Sequence, residues 1–331
     1  MAFEGGERGT TDERLTARLR TGVGERLGTS DEHDTLVGVL FCLPNLVAFS
    51  IFLLGPVLYA FYISFHEWNI LANEGTWIGI QNYVAVLQPA PWANDWAPLT
   101  DPTANTFWYS LKTTVVYAIG TVPLQIYGGL AVALMLDKRV RGKKVYRAAF
   151  FMPMMLSGAA SAVMWRWFLA ADGIINSLLP SFLEHNWAGD PGTALMGVML
   201  MAVWGGIGGN MIFFLAGLQN IPEELYEAAR IDGATGWHRF RHVTWPNLGN
   251  TNFFVIVMAI ISAFQVFGIA LVFSQGGPYY ATTTTVLLVY QRAFEEGAMG
   301  YGAAMAFLLF CLIFAFSYYQ YKNRDQAEVG Y

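Results

Sequence analysis

Six long apolar runs recur along this chain of 331 residues and are separated by shorter polar segments. A helix needs roughly 20 mostly apolar residues to cross the hydrocarbon core of a bilayer, and each run is long enough. Closed β-barrels also span bilayers, but their strands alternate between apolar and polar residues, which these continuous runs do not. The pattern therefore predicts an all-α polytopic membrane protein with six transmembrane helices. The predicted spans are about 36–65, 113–136, 146–169, 193–217, 252–273 and 301–321.

The composition agrees with a protein whose surroundings are largely lipid. Hydrophobic residues make up 55% of the chain and charged residues only 13%, against about 25% charged residues in a typical soluble domain. Together with the net charge of -5, this balance excludes a soluble enzyme, a disordered chain and a nucleic-acid-binding protein. Cys42 and Cys311 lie inside apolar runs. We therefore expect small buried hydrophobic side chains there, rather than a disulfide or a metal site.

Lysine and arginine are distributed unevenly between the polar segments, and this predicts the orientation. Of the 19 basic residues, 16 lie in the N-terminal tail, in the loops after the second and fourth spans, and at the C-terminal end. In a six-span chain these segments share one side, which the positive-inside rule assigns to the cytoplasm. We therefore expect a multi-pass protein of the plasma (inner) membrane with both termini cytoplasmic. Its expected parts are a polar tail at 1–35, without the apolar core of a signal peptide, a transmembrane domain at 36–322 and a second tail at 323–331.

The segment at 219–249, after the fourth span, is too long and too regular in pattern to be a simple connection. Pro222 suits the first turn of a helix, and the acidic pair at 223–224 suits its positive N-terminal end. Gly233 is placed to end this helix, and a second short helix is expected over about 237–243, ending near Pro246. The segment is thus predicted to form two short helices that project from the cytoplasmic surface.

This projecting segment carries a motif that resembles one of a known family. The residues Glu227-Ala228-Ala229, followed by Gly233 and then by Val243-x-Trp245-Pro246, are similar to the EAA loop of ABC-importer permeases. The family has Ile and Leu where this chain has Val243 and Trp245, so one apolar residue replaces another. Further segments resemble the carbohydrate-uptake branch of the family, in particular its maltose-permease-F-like members. They are Gly79–Tyr83, Arg147–Pro153, Asp172–Asn176, and Gly276–Pro278 followed by Thr282.

The resemblance implies a type I ABC importer permease fold and a role for the loop. In the family, the loop forms a coupling helix that docks in a cleft of a cytoplasmic ATPase subunit. The residues that would serve this coupling are Glu227, Ala228, Ala229, Asp232 and Gly233. Small residues permit close approach, and Glu227 suits an ion pair that sets the register with a basic residue of the ATPase. The alternative is that Glu227 and Asp232 only solvate a surface helix.

The sequence contains no motif for binding ATP. No Gly-x-x-x-x-Gly-Lys-Ser/Thr occurs in it, so we expect ATP and Mg to be used by a partner ATPase and this chain to be no enzyme. We expect no cofactor and no metal: His238 and His242 stand four residues apart, but no third ligand is evident. The resemblance implies as partners a second homologous permease in a heterodimer, two ATPase subunits, an extracytoplasmic solute-binding protein and membrane lipid.

Polar and aromatic residues inside the predicted spans are candidates for the solute path. They are Trp204 and Asn210 in the fourth span, with Gly206 between them as a further candidate, and Ser262 and Gln265 in the fifth. Aromatic faces together with amide and hydroxyl groups suit a neutral sugar. The alternative is packing between helices, since Ser and Gln bond neighbouring helices and Gly205-x-x-x-Gly209 is a small-xxx-small motif.

The sequence and the resemblance together predict a permease subunit of an ATP-driven, binding-protein-dependent sugar importer. An importer of glycerol 3-phosphate or another polyol is an alternative, although a charged solute would favour cationic groups along the path. A gradient-driven secondary transporter is an alternative of a different class. It would require a carboxylate, lysine or histidine in the middle of a span as a proton relay, and no such residue is evident.

Overall fold

A computed structural model describes residues 37, 39–69, 74–88, 107–138, 141–181 and 184–328, with side chains up to residue 322. The tail predicted at 1–35, with its arginines, lies outside the described residues, as does 329–331 of the second tail. The chain divides into two compact units, Met1–Ala60 and Phe61–Tyr331.

Helices dominate the described residues, together with one short antiparallel sheet. The helices are α1 (Val39–Ile63), α2 (Gln81–Leu87), α3 (Phe107–Asp137), α4 (Lys143–Met155), α5 (Gly158–Phe168), α6 (Ile174–Leu178), α7 (Ala194–Gln219), α8 (Glu223–Ile231), α9 (Gly236–Asn247), α10 (Gly249–Phe264), α11 (Gly268–Ser274), α12 (Thr285–Tyr290) and α13 (Met299–Glu328). The strands are β1 (His66–Asn69) and β2 (Glu74–Trp77). A π turn lies within α9 at Phe240–Thr244, and another extends α12 over Gln291–Glu295.

The described helices agree with the expected membrane-spanning class. Four of them are each long and apolar enough to cross a bilayer: α1, α3, α7 and α13. Two bent pairs, α4 with α5 and α9 with α10, raise the number of candidate spans to six when each pair is counted as one. The fold is therefore all-α and polytopic, as the apolar runs predict.

The described part of the first unit is residue 37 and the apolar helix α1 as far as Ala60. All of its described residues up to Ala60 are exposed, and Phe41 is 82% exposed. The expectation that Cys42 and Cys311 are buried is wrong, since both are exposed. Each thiol lies on an outer face of an apolar helix. Lipid tails are as apolar as a protein core, so such a face needs no burial within the chain.

Helix α7 is central to the larger unit, because it packs along α3 and is crossed by α4. The contact with α3 depends on Gly129, where a methyl group would lie 2.6 Å from Cβ of Asn210. The crossing with α4 depends on Gly208, where a methyl group would overlap the carbonyl oxygen of Phe150. Small residues at these positions let the backbones of neighbouring membrane helices approach closely.

The third predicted span, 146–169, is not one straight helix, since α4 and α5 meet at 96°. Pro153 lies in the last turn of α4 and lacks the backbone N–H that a continuing helix would use. Leu156 and Ser157 are then extended, with ψ of 145° and 130°, and α5 begins at the next residue. The apolar run is unbroken across this turn, so hydropathy alone does not reveal it.

The fifth predicted span, 252–273, is also interrupted. Helix α10 ends at Phe264, and α11 begins at Gly268. The carbonyl oxygen of Val266, within the break, accepts a hydrogen bond from Thr284 Oγ1 at 2.9 Å. Such a partner is needed because an unsatisfied backbone group inside a bilayer costs several kcal/mol. The side chain that satisfies this break therefore comes from a distant part of the chain.

The segment between α1 and α3 forms a hairpin of β1 and β2 followed by α2. Asn82 is buried, and its Nδ2 donates to the carbonyl oxygens of Ser64 and His66, both at 2.9 Å. The Tyr83 and Ser64 hydroxyl groups share a hydrogen bond of 2.6 Å. The Gly79–Tyr83 segment thus holds the hairpin in place.

Asn176 has a similar structural role in the connection between α6 and α7. Its Nδ2 donates to the carbonyl oxygens of Ala171 at 3.0 Å and His185 at 2.7 Å. Its Oδ1 accepts from Trp187 Nε1 at 2.9 Å. The last residue of the Asp172–Asn176 segment thereby closes the loop that leads into α7.

Replacing Gly208 by Ala is expected to destabilise the crossing of α4 and α7, because the added methyl group meets backbone atoms of Phe150. Overpacking of this kind typically costs roughly 1–3 kcal/mol. Gly205→Ala is the matched control, since among the described residues no atom beyond the local backbone of α7 lies within 4 Å of the position its methyl group would take. Thermal unfolding in mild detergent should show a lower midpoint for Gly208→Ala alone. Equal midpoints for the two variants would contradict the described crossing.

Candidate coupling loop and solute cavity

The projecting loop begins with α8, whose ends are set by backbone geometry. Pro222 is its N-cap residue, one position before the first turn in which the sequence predicts it. At the other end, Gly233 has a φ of 77°, a left-handed conformation that glycine adopts readily. The N–H of Ala234 donates to the carbonyl oxygen of Ala229 at 2.9 Å, and that of Gly233 to Arg230 at 3.1 Å. These two bonds form a Schellman motif, which ends the helix at the predicted glycine.

Helix α9 follows this turn and is longer than the short helix expected over 237–243. Its N-cap residue is Thr235, whose Oγ1 forms a hydrogen bond with His238 Nδ1 at 2.8 Å. The helix continues through Pro246, which lies at the start of the short α-helical segment Trp245–Asn247 after the π turn, and proline is tolerated at the start of such a segment. The His238 and His242 rings stack 6.0 Å apart. Within the described part of the chain, no group of three or more His, Cys, Asp or Glu is arranged to hold a metal ion.

Helix α8 is uncovered. None of its residues is buried, although Leu225 and Ile231 are apolar, and Ile231 is 88% exposed. Trp237, at the start of α9, is 69% exposed. The predicted coupling residues lie together in the C-terminal half of α8 and in the turn that follows it: Glu227, Ala228, Ala229, Asp232 and Gly233. All of them are exposed except the partly covered Ala229.

Tyr226 anchors α8 to the rest of the larger unit. Its ring packs against the main hydrophobic core, and its Oη shares a hydrogen bond with the buried Thr244 Oγ1 at 3.1 Å. Beside this contact, a cleft of about 910 Å³ separates α8 and α9 from the ends of α3 and α7. The exposed loop is therefore tied to α9 through a tyrosine and a threonine.

A cavity of about 530 Å³ opens where the α4–α5 turn and the α10–α11 break meet α7. Its lining contains most of the predicted path residues: Trp204, Gly206, Ser262 and Gln265. Gln125 of α3 joins them, and its Nε2 donates to the carbonyl oxygen of Ala202 at 3.1 Å. No Asp, Glu, Lys, Arg or His is among the described residues that line this cavity.

Asn210 is the one predicted path residue that does not line this cavity. It lies one turn beyond Gly206, on a part of α7 that packs against α3, where its Cβ faces Gly129. The two glycines of the predicted small-xxx-small motif, Gly205 and Gly209, have different surroundings. Gly205 lines the cavity, whereas a methyl group on Gly209 would lie 3.1 Å from Sδ of Met154.

Thr284 shapes the cavity without lining it, and the sequence did not single it out. It belongs to a run of four buried threonines, Thr282–Thr285. Its hydroxyl holds the Val266 carbonyl group, which is next to Gln265 in the break. The N–H of the following residue donates to Thr114 Oγ1 of α3 at 2.9 Å. The run is visible in the sequence, but its spacing does not indicate which distant carbonyl group each hydroxyl meets.

Comparison with known proteins identifies the family. Residues 125–324, which include α7, the loop and α10, match the family described as "Binding-protein-dependent transport system inner membrane component". The match covers more than half of the chain, so the chain belongs to this family of multi-pass inner-membrane permeases. It is a permease component of an ABC importer.

Relatives align over nearly the whole chain and confirm the resemblance to carbohydrate-uptake permeases. The probable ABC transporter permease protein YesP of Bacillus subtilis is 34% identical and aligns with 86% of this chain and 89% of its own length. The trehalose/maltose transport system permease protein MalF of Thermococcus litoralis is 33% identical, over 92% and 96%. The sn-glycerol-3-phosphate transport system permease protein UgpA of Agrobacterium fabrum is 32% identical, over 87% and 94%.

A solved structure shares the fold. It is a bacterial ABC transporter involved in the import of the acidic polysaccharide alginate, one chain of which matches with a TM-score of 0.74. The match covers 91% of this chain and 99% of the other at 18% identity, so the likeness concerns the fold. The type I ABC importer permease fold expected from the sequence is thereby confirmed.

Thr284→Val is expected to loosen the α10–α11 break, because it removes the hydroxyl group that satisfies the Val266 carbonyl. A lost hydrogen bond of about 1 kcal/mol corresponds to roughly fivefold faster local opening. Hydrogen–deuterium exchange of a peptide covering 262–268 should report this change. Thr283→Val is the control, since the Thr283 hydroxyl donates to Gly276 instead, at 3.2 Å. The same exchange increase in both variants would show that the effect is general and that Thr284 does not hold the break.

Proposed function

We propose that this chain is one of two permease subunits of an ATP-driven importer of neutral carbohydrates. It pairs with a second homologous permease, binds two cytoplasmic ATPase subunits that use ATP and Mg, and receives solute from an extracytoplasmic solute-binding protein. Membership of a binding-protein-dependent transport family supports the solute-binding protein as a partner. The names of relatives support the solute class: one is a trehalose/maltose permease and another an arabinooligosaccharide permease.

The uncovered helix α8 is the observation that carries the proposal. Covering exposed apolar residues such as Leu225 and Ile231 with a partner lowers the free energy of the complex. An amphipathic helix of this kind commonly docks in a groove of another protein. The closed turn at Gly233 fixes the shape of this helix before docking, so little ordering is required. Glu227, on the exposed surface, then sets the register through an ion pair with a basic residue of the ATPase.

The contacts of α8 offer a route from the ATPase to the solute. Tyr226 ties α8 to Thr244 of α9. Helix α9 leads into α10 at a bend of 69°, with only Leu248 between them. Helix α10 ends at the break that carries Gln265. A movement of α8 driven by closure of the ATPase dimer therefore reaches the cavity through two short, packed helices.

Basic residues near the loop support its cytoplasmic location. Lys138, Arg230 and Arg239 line the same cleft, so basic positions from α8, α9 and the end of α3 share one side of the protein. The positive-inside rule assigns that side to the cytoplasm. Both termini lie there in a chain with six spans.

The cavity lined by Trp204 and Gln265 suits a neutral sugar. The indole ring presents an apolar face to the C–H surface of the sugar, and the amide and hydroxyl groups of Gln125, Ser262 and Gln265 bond its hydroxyl groups. Gly206 leaves room for Gln125, since a methyl group there would lie 2.5 Å from Cδ of that side chain. A phosphate-bearing solute would require a cation, and a proton-coupled mechanism a titratable group. Neither occurs among the described lining residues.

Glu227→Lys is expected to abolish coupling, because it places a cation against the basic residue inferred on the ATPase. A charge reversal at a buried ion pair costs several kcal/mol, so ATP-dependent uptake should fall more than roughly tenfold. The measurement is uptake of labelled neutral oligosaccharides by membrane vesicles, together with the amount of ATPase that remains bound to the vesicles.

Glu184→Lys is the matched control for Glu227→Lys. Glu184 is exposed and lies between α6 and α7, on the side of the membrane opposite to the loop in the six-span arrangement. The control variant should retain both uptake and bound ATPase. Uptake by Glu227→Lys at the wild-type rate, with the variant present in the membrane, would refute the coupling role.

Gln265→Ala is expected to weaken solute binding, because it removes a hydrogen-bonding group from the cavity. Loss of one such bond raises the half-saturating solute concentration by about fivefold. Asn210→Ala is the informative comparison, since Asn210 is a predicted path residue that faces α3 in this conformation. An unchanged half-saturating concentration for Gln265→Ala, with an increase for Asn210→Ala, would contradict the proposed site and indicate that the solute binds nearer to α3.

A further inference from the structure

A cleft between α4 and α7 is lined at one end by an arginine side chain. The cleft has a volume of about 400 Å³. It lies next to the point where α4 crosses α7 at Gly208, towards the N-terminal end of α4. Arg147 lines it, and among the described residues no hydrogen-bond acceptor meets its buried Nε. A buried N–H donor of a cationic group is costly without an acceptor, so this arrangement points to a ligand or a partner.

The rest of the cleft is apolar. Its apolar lining includes Ile212, which is 41% exposed, the exposed Ala216 and the partly buried Phe151, together with the buried Met211 and Leu215. Gln219 is the only other polar group among the described lining residues. Arg147 is in the second turn of α4 and Gln219 is the last residue of α7, so both polar groups lie at helix ends. The apolar walls run from these ends along the two helices.

The polar end of the cleft is also strongly basic. Arg141, Lys143 and Lys144 precede Arg147, and the sequence contains no Asp or Glu from 138 to 171. This end of α4 is on the side that the positive-inside rule assigns to the cytoplasm. Basic pockets between transmembrane helices on the cytoplasmic side bind anionic lipid head groups.

We infer that this cleft binds one anionic phospholipid of the cytoplasmic leaflet. Its phosphate group accepts hydrogen bonds from Arg147 and Gln219, and one acyl chain covers the exposed Ile212 and Ala216. A carboxylate of another protein would neutralise Arg147 but would leave the exposed apolar side chain of Ile212 uncovered. A molecule with an anionic head and an apolar tail satisfies both parts of the cleft.

The test uses the full chain, purified in mild detergent with the subunits that accompany it and then depleted of lipid. Native mass spectrometry counts the molecules of phosphatidylglycerol or phosphatidylcholine that the protein retains. Wild type should retain one more phosphatidylglycerol than Arg147→Gln, with about tenfold weaker binding in the variant. Lys322→Gln, at the exposed end of the last span and outside the cleft, should behave as wild type.

A second variant tests the apolar part without changing any charge. Ala216→Phe places a ring in the cleft and should displace the same lipid while Arg147 stays in place. Equal retention of phosphatidylglycerol by wild type, Arg147→Gln and Ala216→Phe would overturn the proposal. Full displacement of the lipid by an equal concentration of glycerol phosphate would overturn it as well, because the site would then bind a free anion. Loss of a protein subunit from Arg147→Gln with the lipid count unchanged would identify the acceptor as a protein carboxylate instead.

Discussion

Within a bilayer, no water is present to form hydrogen bonds with a backbone N–H or carbonyl group, so the protein must supply the hydrogen-bonding partner. Most of this chain meets that requirement with long helices, of which α7 packs closely on α3 and α4 through glycine. The requirement is hardest to meet at the two interruptions, the α4–α5 turn and the α10–α11 break. Both interruptions border the same cavity. Irregular backbone at membrane depth is tolerated where it lines a cavity, and here it brings polar groups to the proposed solute.

The break after α10 is held in place by hydrogen bonds from side chains elsewhere in the chain. Thr284 satisfies the Val266 carbonyl group from 18 residues away, and Thr114 connects the same threonine run to α3. At the other end of α10, Tyr226 and Thr244 tie the exposed loop to the packed helices. The cavity and the loop are thus joined to a common element. The lipid proposed between α4 and α7 would occupy a separate cleft, on another side of α7.

Local signals in the sequence account for much of this structure. Apolar runs identify the membrane-spanning class, and Gly233 marks the end of α8 because a Schellman motif needs one residue with positive φ. The interruptions near Leu156 and Val266 are not predictable in this way, since the apolar content is continuous across them. The partner of the Val266 carbonyl group is fixed only by tertiary packing. Four of the five path residues meet in one cavity, whereas Asn210 faces α3, because the rotation of a buried helix about its axis depends on all its neighbours.

The central proposal is that this chain does not use ATP itself and is driven through its loop by a separate ATPase. Its most direct test is the composition of the native complex, measured by affinity purification of the tagged chain from its own membranes and quantitative mass spectrometry. The predicted result is a second six-span permease in equal amount and a P-loop ATPase in twice that amount. Recovery of this chain alone, stable and competent for transport without any ATPase, would contradict the claim and favour a gradient-driven carrier.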